Sequence, residues 1–185
     1  MLRGRYAKQM VGDILAKGGG KKLDFEIIPI AEEHIAGFHA GVDSVARERR
    51  YLAMLEAPPI EATTEWVRAG MKNGNPRFVA MVEGRVVGWC DVTPEKHKTM
   101  AHGGVLGMDM VDGFRGKGIG IALMRATLAQ AKKSGFARVE LTVREDNLRA
   151  KALYEKVGFL AEGVKRKATL LDGKYYDLIL MSLLF

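Results

Sequence analysis

The residues best placed to do chemistry lie in Leu106-Gly-Met-Asp-Met-Val-Asp-Gly-Phe-Arg-Gly-Lys-Gly-Ile-Gly120. An apolar, strand-like stretch runs into a loop with glycines at Gly116, Gly118 and Gly120 and then opens a helix. Glycine lets backbone N–H groups turn toward a ligand with no Cβ in the way. A helix start adds unpaired N–H groups and the positive end of a dipole. Together they make an anion cradle suited to phosphate, with Arg115 and Lys117 adding charge at its rim. The competing reading is a tight turn that needs glycine for geometry alone. Two nucleotide loops fail to fit. Lys117 is followed by Gly118 rather than a hydroxyl, against the Walker pattern. In G-x-G-x-x-G/A the last position falls on Ile121 or Leu123.

A second constellation follows one strand later, in Glu140-Leu-Thr-Val-Arg-Glu-Asp-Asn147. Asn147 stands where a helix begins, the position of an N-cap. Lys151 and Tyr154 fall four and seven residues on, near the same helical face. Asp109 is an unusual residue for a central strand, because charge is rarely buried unpaired. It can take a proton, anchor a cationic substrate, pair with an arginine or face water. His102 opens the same strand and titrates near neutrality. Cys90, beside Trp89 in an apolar strand, reads as a buried inert thiol.

The elements that must position these groups follow from periodicity and turn signals. Strands are expected at 25–30, 78–82, 86–92, 103–111, 138–143, 160–170 and 175–183. Helices are expected at 31–50, interrupted by Gly37 and Gly41, and at 61–71, with Trp66, Val67 and Met71 inward. Two more are expected at 118–133 and 148–157. Glu83-Gly84 and Asp172-Gly173 signal hairpins. The order βααβββαβαββ is a mixed α/β architecture with helices between the strands of one sheet.

Composition sets the frame. The 185 residues suit one domain, and 48% apolar with 28% charged is a globular balance. No run approaches the length of a transmembrane helix, so no membrane is expected as partner. A single cysteine excludes an internal disulfide, and with four scattered histidines it argues against a metal site; a cytoplasmic setting fits. The net charge is +7, and +5 of it sits in residues 1–22, which read as a basic extension before a domain at 23–185. Within that extension Tyr6, Met10 and Ile14 recur at helical spacing, and Gly18-Gly-Gly20 reads as a linker. Arg47, Arg49 and Arg50 read as a solvated helix end. Lys165-Arg166-Lys167 reads as a strand edge, which disfavours nucleic acid as a partner.

Arg115-Gly-Lys-Gly-Ile-Gly120 after an apolar strand, with Asn147, Ala150, Leu153-Tyr154 and Gly158-Phe159 downstream, resembles the general N-acetyltransferase (GNAT) superfamily. The likeness spans roughly residues 25–185. From His102 onward it is similar to bacterial amino-acid and ribosomal-protein acetyltransferases, through Glu140-Leu-Thr-Val and Asp172-Gly-Lys-Tyr175. The resemblance implies a mixed sheet splayed between its fourth and fifth strands, with acetyl-CoA in the gap. It implies that the loop from Arg115 through Gly116, Lys117, Gly118, Ile119 and Gly120 holds the pyrophosphate. Met108 and Met110 would hold the pantetheine by backbone groups, the Met110 N–H would polarise the thioester carbonyl, and Asn147 would bond the cofactor arm. Tyr154 would protonate the departing thiolate, and Asp109, His102 or water would take the proton of the attacking amine. The implied reaction is direct acetyl transfer to a primary amine: an amino acid, a small amine or a protein N-terminus. The implied assembly is a homodimer. Two other classes compete: a non-catalytic acyl-CoA-binding module, and a ribosome- or RNA-associated protein using the basic extension.

Overall fold

The computed structural model describes residues 23–185. The expectations about Tyr6, Met10, Ile14 and the basic extension lie outside the described residues. Seven strands form one sheet in the order β1-β2-β3-β4-β5-β7-β6. They are β1 (Glu26–Pro29), β2 (Arg77–Val82), β3 (Arg85–Pro94), β4 (Gly103–Met110), β5 (Arg138–Arg144), β6 (Leu160–Leu171) and β7 (Lys174–Leu184). The helices are α1 (Ile35–Arg47), α2 (Ile60–Asn73), α3 (Ile119–Lys133) and α4 (Leu148–Lys156). A 3-10 turn at Glu32–His34 precedes α1.

Both hairpin signals hold. Glu83-Gly84 and Asp172-Gly173 all have positive φ, the signature of the turn that matches strand twist. The expectation that Gly37 and Gly41 interrupt a helix fails, because α1 runs through both. A Cβ on Gly37 would lie 3.1 Å from Val86 Cγ2, and one on Gly41 would lie 3.3 Å from Trp89 Cζ3. These glycines let the helix approach the sheet closely. Met71, expected inward on α2, is exposed, and Thr63, Val67 and Gly70 are the buried positions.

The sheet has two covered faces in its first half. Phe38 of α1 stacks on Trp66 of α2 and meets Trp89 of β3 edge-on, joining Val67 and Val79 in one cluster. On the opposite face Leu123, Met124 and Leu128 of α3 pack with Cys90, Val92, Met110 and Phe159. Alternation along a strand therefore decides which side of the molecule each β4 residue serves.

Strands β4 and β5 are parallel, and they pair only at Gly103↔Arg138, Gly104↔Val139 and Val105↔Glu140. From Leu106 onward β4 keeps β3 on one side and has no strand partner on the other. The expected splay between the fourth and fifth strands is this parting. Gly104 sits in the paired end. A Cβ there would lie 2.6 Å from Val92 Cγ1 and 2.7 Å from Phe136 Cε1. Gly104→Ala is therefore expected to cost about 1–3 kcal/mol of stability through overpacking. Urea unfolding measures it, and an unchanged midpoint would mean that Phe136 yields without cost.

Candidate functional site

The loop after β4 carries glycines at positive φ at Gly113, Gly116 and Gly118. Gly118 is the N-cap of α3 with φ 85°, a conformation that disfavours any residue with a Cβ. A Cβ at Gly118 would meet nothing within 4 Å, so the start of α3 opens onto free space. The first N–H groups of the helix point there. At Gly116 a Cβ would run into the Arg149 guanidinium from the first turn of α4. Backbone donors, open space and a neighbouring cation fit a pyrophosphate.

Arg149 is a candidate site residue that the sequence reading missed. It follows Asn147 by two residues, and only the fold brings it to the loop. Arg115, expected at the phosphate rim, is committed elsewhere. Its Nη1 and Nη2 donate to Glu48 at 2.8 and 2.6 Å, and its Nε donates to the Met110 carbonyl at 2.9 Å. Lys117 lies over the Phe114 ring at 5.6 Å. Asn147 is the N-cap of α4, its Oδ1 accepting the Ala150 N–H at 3.2 Å, which leaves the amide nitrogen as its donor.

The register places Asp109 opposite Trp89 and Gly107 opposite Asp91. Directly opposed residues share a face, so Asp109 and Asp91 both lie on the α1/α2 side. Met108 and Met110 lie on the α3/α4 side, where Met108 Cε comes within 2.9 Å of a Cβ position on Gly120. Tyr154 of α4 is buried in that second core, its ring 6.1 Å from Phe159. Asp109 and Tyr154 therefore flank the unpaired part of β4 from opposite faces. His102 does not join them. It precedes the paired end of β4, seven residues from Asp109, about 23 Å at the strand rise.

Burial governs the ionisation of the site. It raises the Asp109 carboxyl to about 6, against the lowering effects of the Met110 N–H and Arg115. The Met110 N–H donates to Asp109 Oδ1 at 2.8 Å. Asp91, which the sequence reading did not single out, is raised to about 7 by burial, with Arg77 and the Thr93 hydroxyl opposing. Arg77 stacks 3.4 Å from the Trp66 ring centroid. Burial also raises the Tyr154 phenol, with Cys90 and Asp109 adding to it, so the group stays a proton donor throughout the neutral range. Cys90 is fully buried and its thiol is raised by burial, which keeps it inert.

The helix end at Arg47 is not simply solvated. Arg49 pairs with Asp172 of the β6–β7 turn. The Arg50 carbonyl accepts from Arg144 Nη1 at 2.5 Å. The Arg144 guanidinium lies 5.1 Å from the Tyr51 ring and 3.7 Å from the Tyr176 ring. The segment 48–51 thus reaches over to the far side of the parted strands.

Known proteins share the family and the fold of this chain. The model of the acetyltransferase (GNAT) family matches residues 31–159, well over half of the chain. The chain belongs to the GNAT family. The L-amino acid N-acetyltransferase AaaT of Escherichia coli K12 is 30% identical over 116 residues, 62% of this chain and 72% of that protein. The GNAT-family acetyltransferase of Streptococcus pneumoniae superposes with a TM-score of 0.83 at 23% identity, covering 88% of this chain and 100% of that one. The yncA protein of Salmonella typhimurium, solved with acetyl-CoA, superposes with a TM-score of 0.82 at 16% identity, over 87% and 94%. This GNAT protein is an N-acetyltransferase with acetyl-CoA as its acyl donor. Among the described residues no three His, Cys, Asp or Glu side chains cluster as a metal site, and no helix is long and apolar enough to cross a membrane.

The raised Asp109 carboxyl has a stability consequence. Its folded value exceeds the unfolded one, so the folded state binds the extra proton between about pH 4 and pH 6. Stability from that proton is present at low pH and is lost as pH rises through 6. Asp109→Asn keeps an acceptor for the Met110 N–H and removes the buried charge. The variant is expected to melt above the parent at pH 8, with the advantage vanishing near pH 4. Melting curves at the two pH values measure this, and equal melting at pH 8 would mean the carboxylate is well solvated.

Proposed function

We propose that the enzyme acetylates the primary amine of a small, amino-acid-like substrate by direct attack on acetyl-CoA. The observation that carries this reading is the placement of Asp109 and Tyr154 on opposite faces of the unpaired stretch of β4. An acyl donor lying in that stretch has a base on one side and an acid on the other. The amino-acid substrate class is supported by the relative AaaT, whose name specifies L-amino acids.

The residues divide the work as follows. The N–H groups at Gly116, Gly118, Ile119 and Gly120, with the Arg149 cation beside them, hold the pyrophosphate. Backbone groups of Met108 and Met110 and the Asn147 amide nitrogen hold the pantetheine arm. An aliphatic amine reaches the site as an ammonium at neutral pH. Asp109 accepts its proton on the α1/α2 side. The amine nitrogen then bonds the acyl carbon as the C–S bond breaks, Tyr154 gives its proton to the departing sulfur, and the second proton that the nitrogen sheds on becoming an amide returns through solvent to the Tyr154 oxygen. The Met110 N–H serves Asp109 in the resting site. Protonation of Asp109 weakens that bond and turns the N–H toward the acyl oxygen as charge develops there.

Two variants separate these roles. Tyr154→Phe is expected to lower kcat by about a hundredfold or more, with acetyl-CoA affinity by calorimetry within about threefold of the parent. Arg149→Ala is expected to weaken acetyl-CoA about tenfold and to leave affinity for acetyl-pantetheine, which lacks the pyrophosphate, unchanged. Thiol release across L-amino acids, simple amines and an N-terminal peptide reads the acceptor class. Turnover confined to the peptide would overturn the small-substrate reading. Full turnover by Asp109→Asn would remove Asp109 as the base.

A further inference from the structure

Arg115 makes no approach to the glycine turn's open space; it binds the C-cap of α1 instead. Its two terminal nitrogens clamp both oxygens of Glu48, and each side chain of the pair is only 20% exposed. Its Nε takes the Met110 carbonyl. The N–H of that same Met110 donates to Asp109. Two hydrogen bonds on Met110, one at its carbonyl and one at its N–H, thus connect the Glu48–Arg115 pair to Asp109. Glu48 is fixed at its end of this connection, because Arg49 is paired to Asp172 and the Arg50 carbonyl is held by Arg144.

We propose that Glu48 and Arg115 are a positioning pair that holds opposite charges in balance against Asp109, one from the end of α1 and one from the glycine loop, so that neither charge alone shifts its proton affinity. The inference rests on Asp109 being the base. Arg115 lowers the Asp109 carboxyl and Glu48 raises it, so the two influences oppose each other. Other groups face Asp109 as well. Asp112 stands behind Arg115 at 3.7 Å, Tyr154 comes from α4, and Asp91 lies on the neighbouring strand. Tyr154 is uncharged in the neutral range, and Asp112 is largely exposed at 83%. The pair is the part of this environment that can be unbalanced in either direction. Arg115 without Glu48 would lower the Asp109 carboxyl, and Glu48 without Arg115 would raise it. With both present the carboxyl sits near 6, where an ionised base of useful strength exists at neutrality.

The test needs neither acceptor nor acetyl-CoA. The full chain is labelled with carboxyl-13C aspartate, the Asp109 signal is assigned by its absence in Asp109→Asn, and its titration is followed by NMR. Glu48→Gln is expected to lower the Asp109 midpoint by about one pH unit, and Arg115→Met to raise it by about one unit. The double variant is expected to return to within about 0.3 unit of the parent. Glu48→Asp, which keeps the charge, is expected to keep the midpoint, and with Glu48→Gln it carries the test alone if Arg115→Met fails to fold. Shifts in the same direction, or no shift with Glu48→Gln, would overturn the inference, since a merely structural pair would leave the midpoint in place. Loss of the base reading appears separately, as full turnover by Asp109→Asn with the NMR shifts intact.

Discussion

Everything at the site depends on two parallel strands that pair over three residues and then part. Past Val105, β4 keeps its hydrogen bonds to β3 and offers its other edge to the gap. Unpaired backbone groups in a sheet interior are costly unless something else satisfies them. An extended acyl-pantetheine arm carries amides at the right spacing to bond such an edge. On the proposed reading the parting makes a binding surface out of an incomplete sheet. The chain connects the two strands through α3, whose start is the glycine turn, so the proposed phosphate cradle follows directly on the unpaired end of β4.

The chemistry around the gap shares one electrostatic theme. Burial raises Asp109, Asp91, Cys90 and Tyr154 alike, favouring the proton-bearing form of each. On the Asp109 side of the sheet Arg115 is paired with Glu48, and Arg77 is stacked on Trp66. Such an environment disfavours isolated charge on a reactant as well. An ammonium that gives its proton to Asp109 leaves a neutral amine and a neutral acid, and both are at home in this site. A neutral amine is also the only form with a lone pair to attack the acyl carbon.

Much of this was legible in the sequence, and what escaped has a common cause. The order of strands and helices, both hairpins, the glycine turn and the Asn147 cap are local features, set by residues close in the chain. Gly37 and Gly41 were misread because a glycine in a helix looks the same whether it breaks the helix or lets it approach a tryptophan. Arg149, Asp91 and the Glu48–Arg115 pair escaped because each acquires its meaning from a partner far away in sequence. Arg115 illustrates the limit. Its place in the glycine motif suggested a phosphate contact, and the fold gave it a carboxylate on a helix 67 positions earlier. Charge in a motif does not say where the side chain points.

The segment from Glu48 to Tyr51 joins the end of α1 to both sides of the gap. Glu48 reaches the glycine loop, Arg49 the β6–β7 turn, and the Arg50 carbonyl and the Tyr51 ring both reach Arg144 at the end of β5. Arg49 adopts φ 52° to allow it, a conformation costing a non-glycine residue about 1 kcal/mol or more. A strained residue persists only where its surroundings over-determine it. Here those surroundings are the two lips of the gap. The end of α1 is tied to the glycine loop proposed to hold the donor and, through Met110, to the proposed base. A displacement of that end of α1 would therefore be felt at Asp109 and at the glycine turn together.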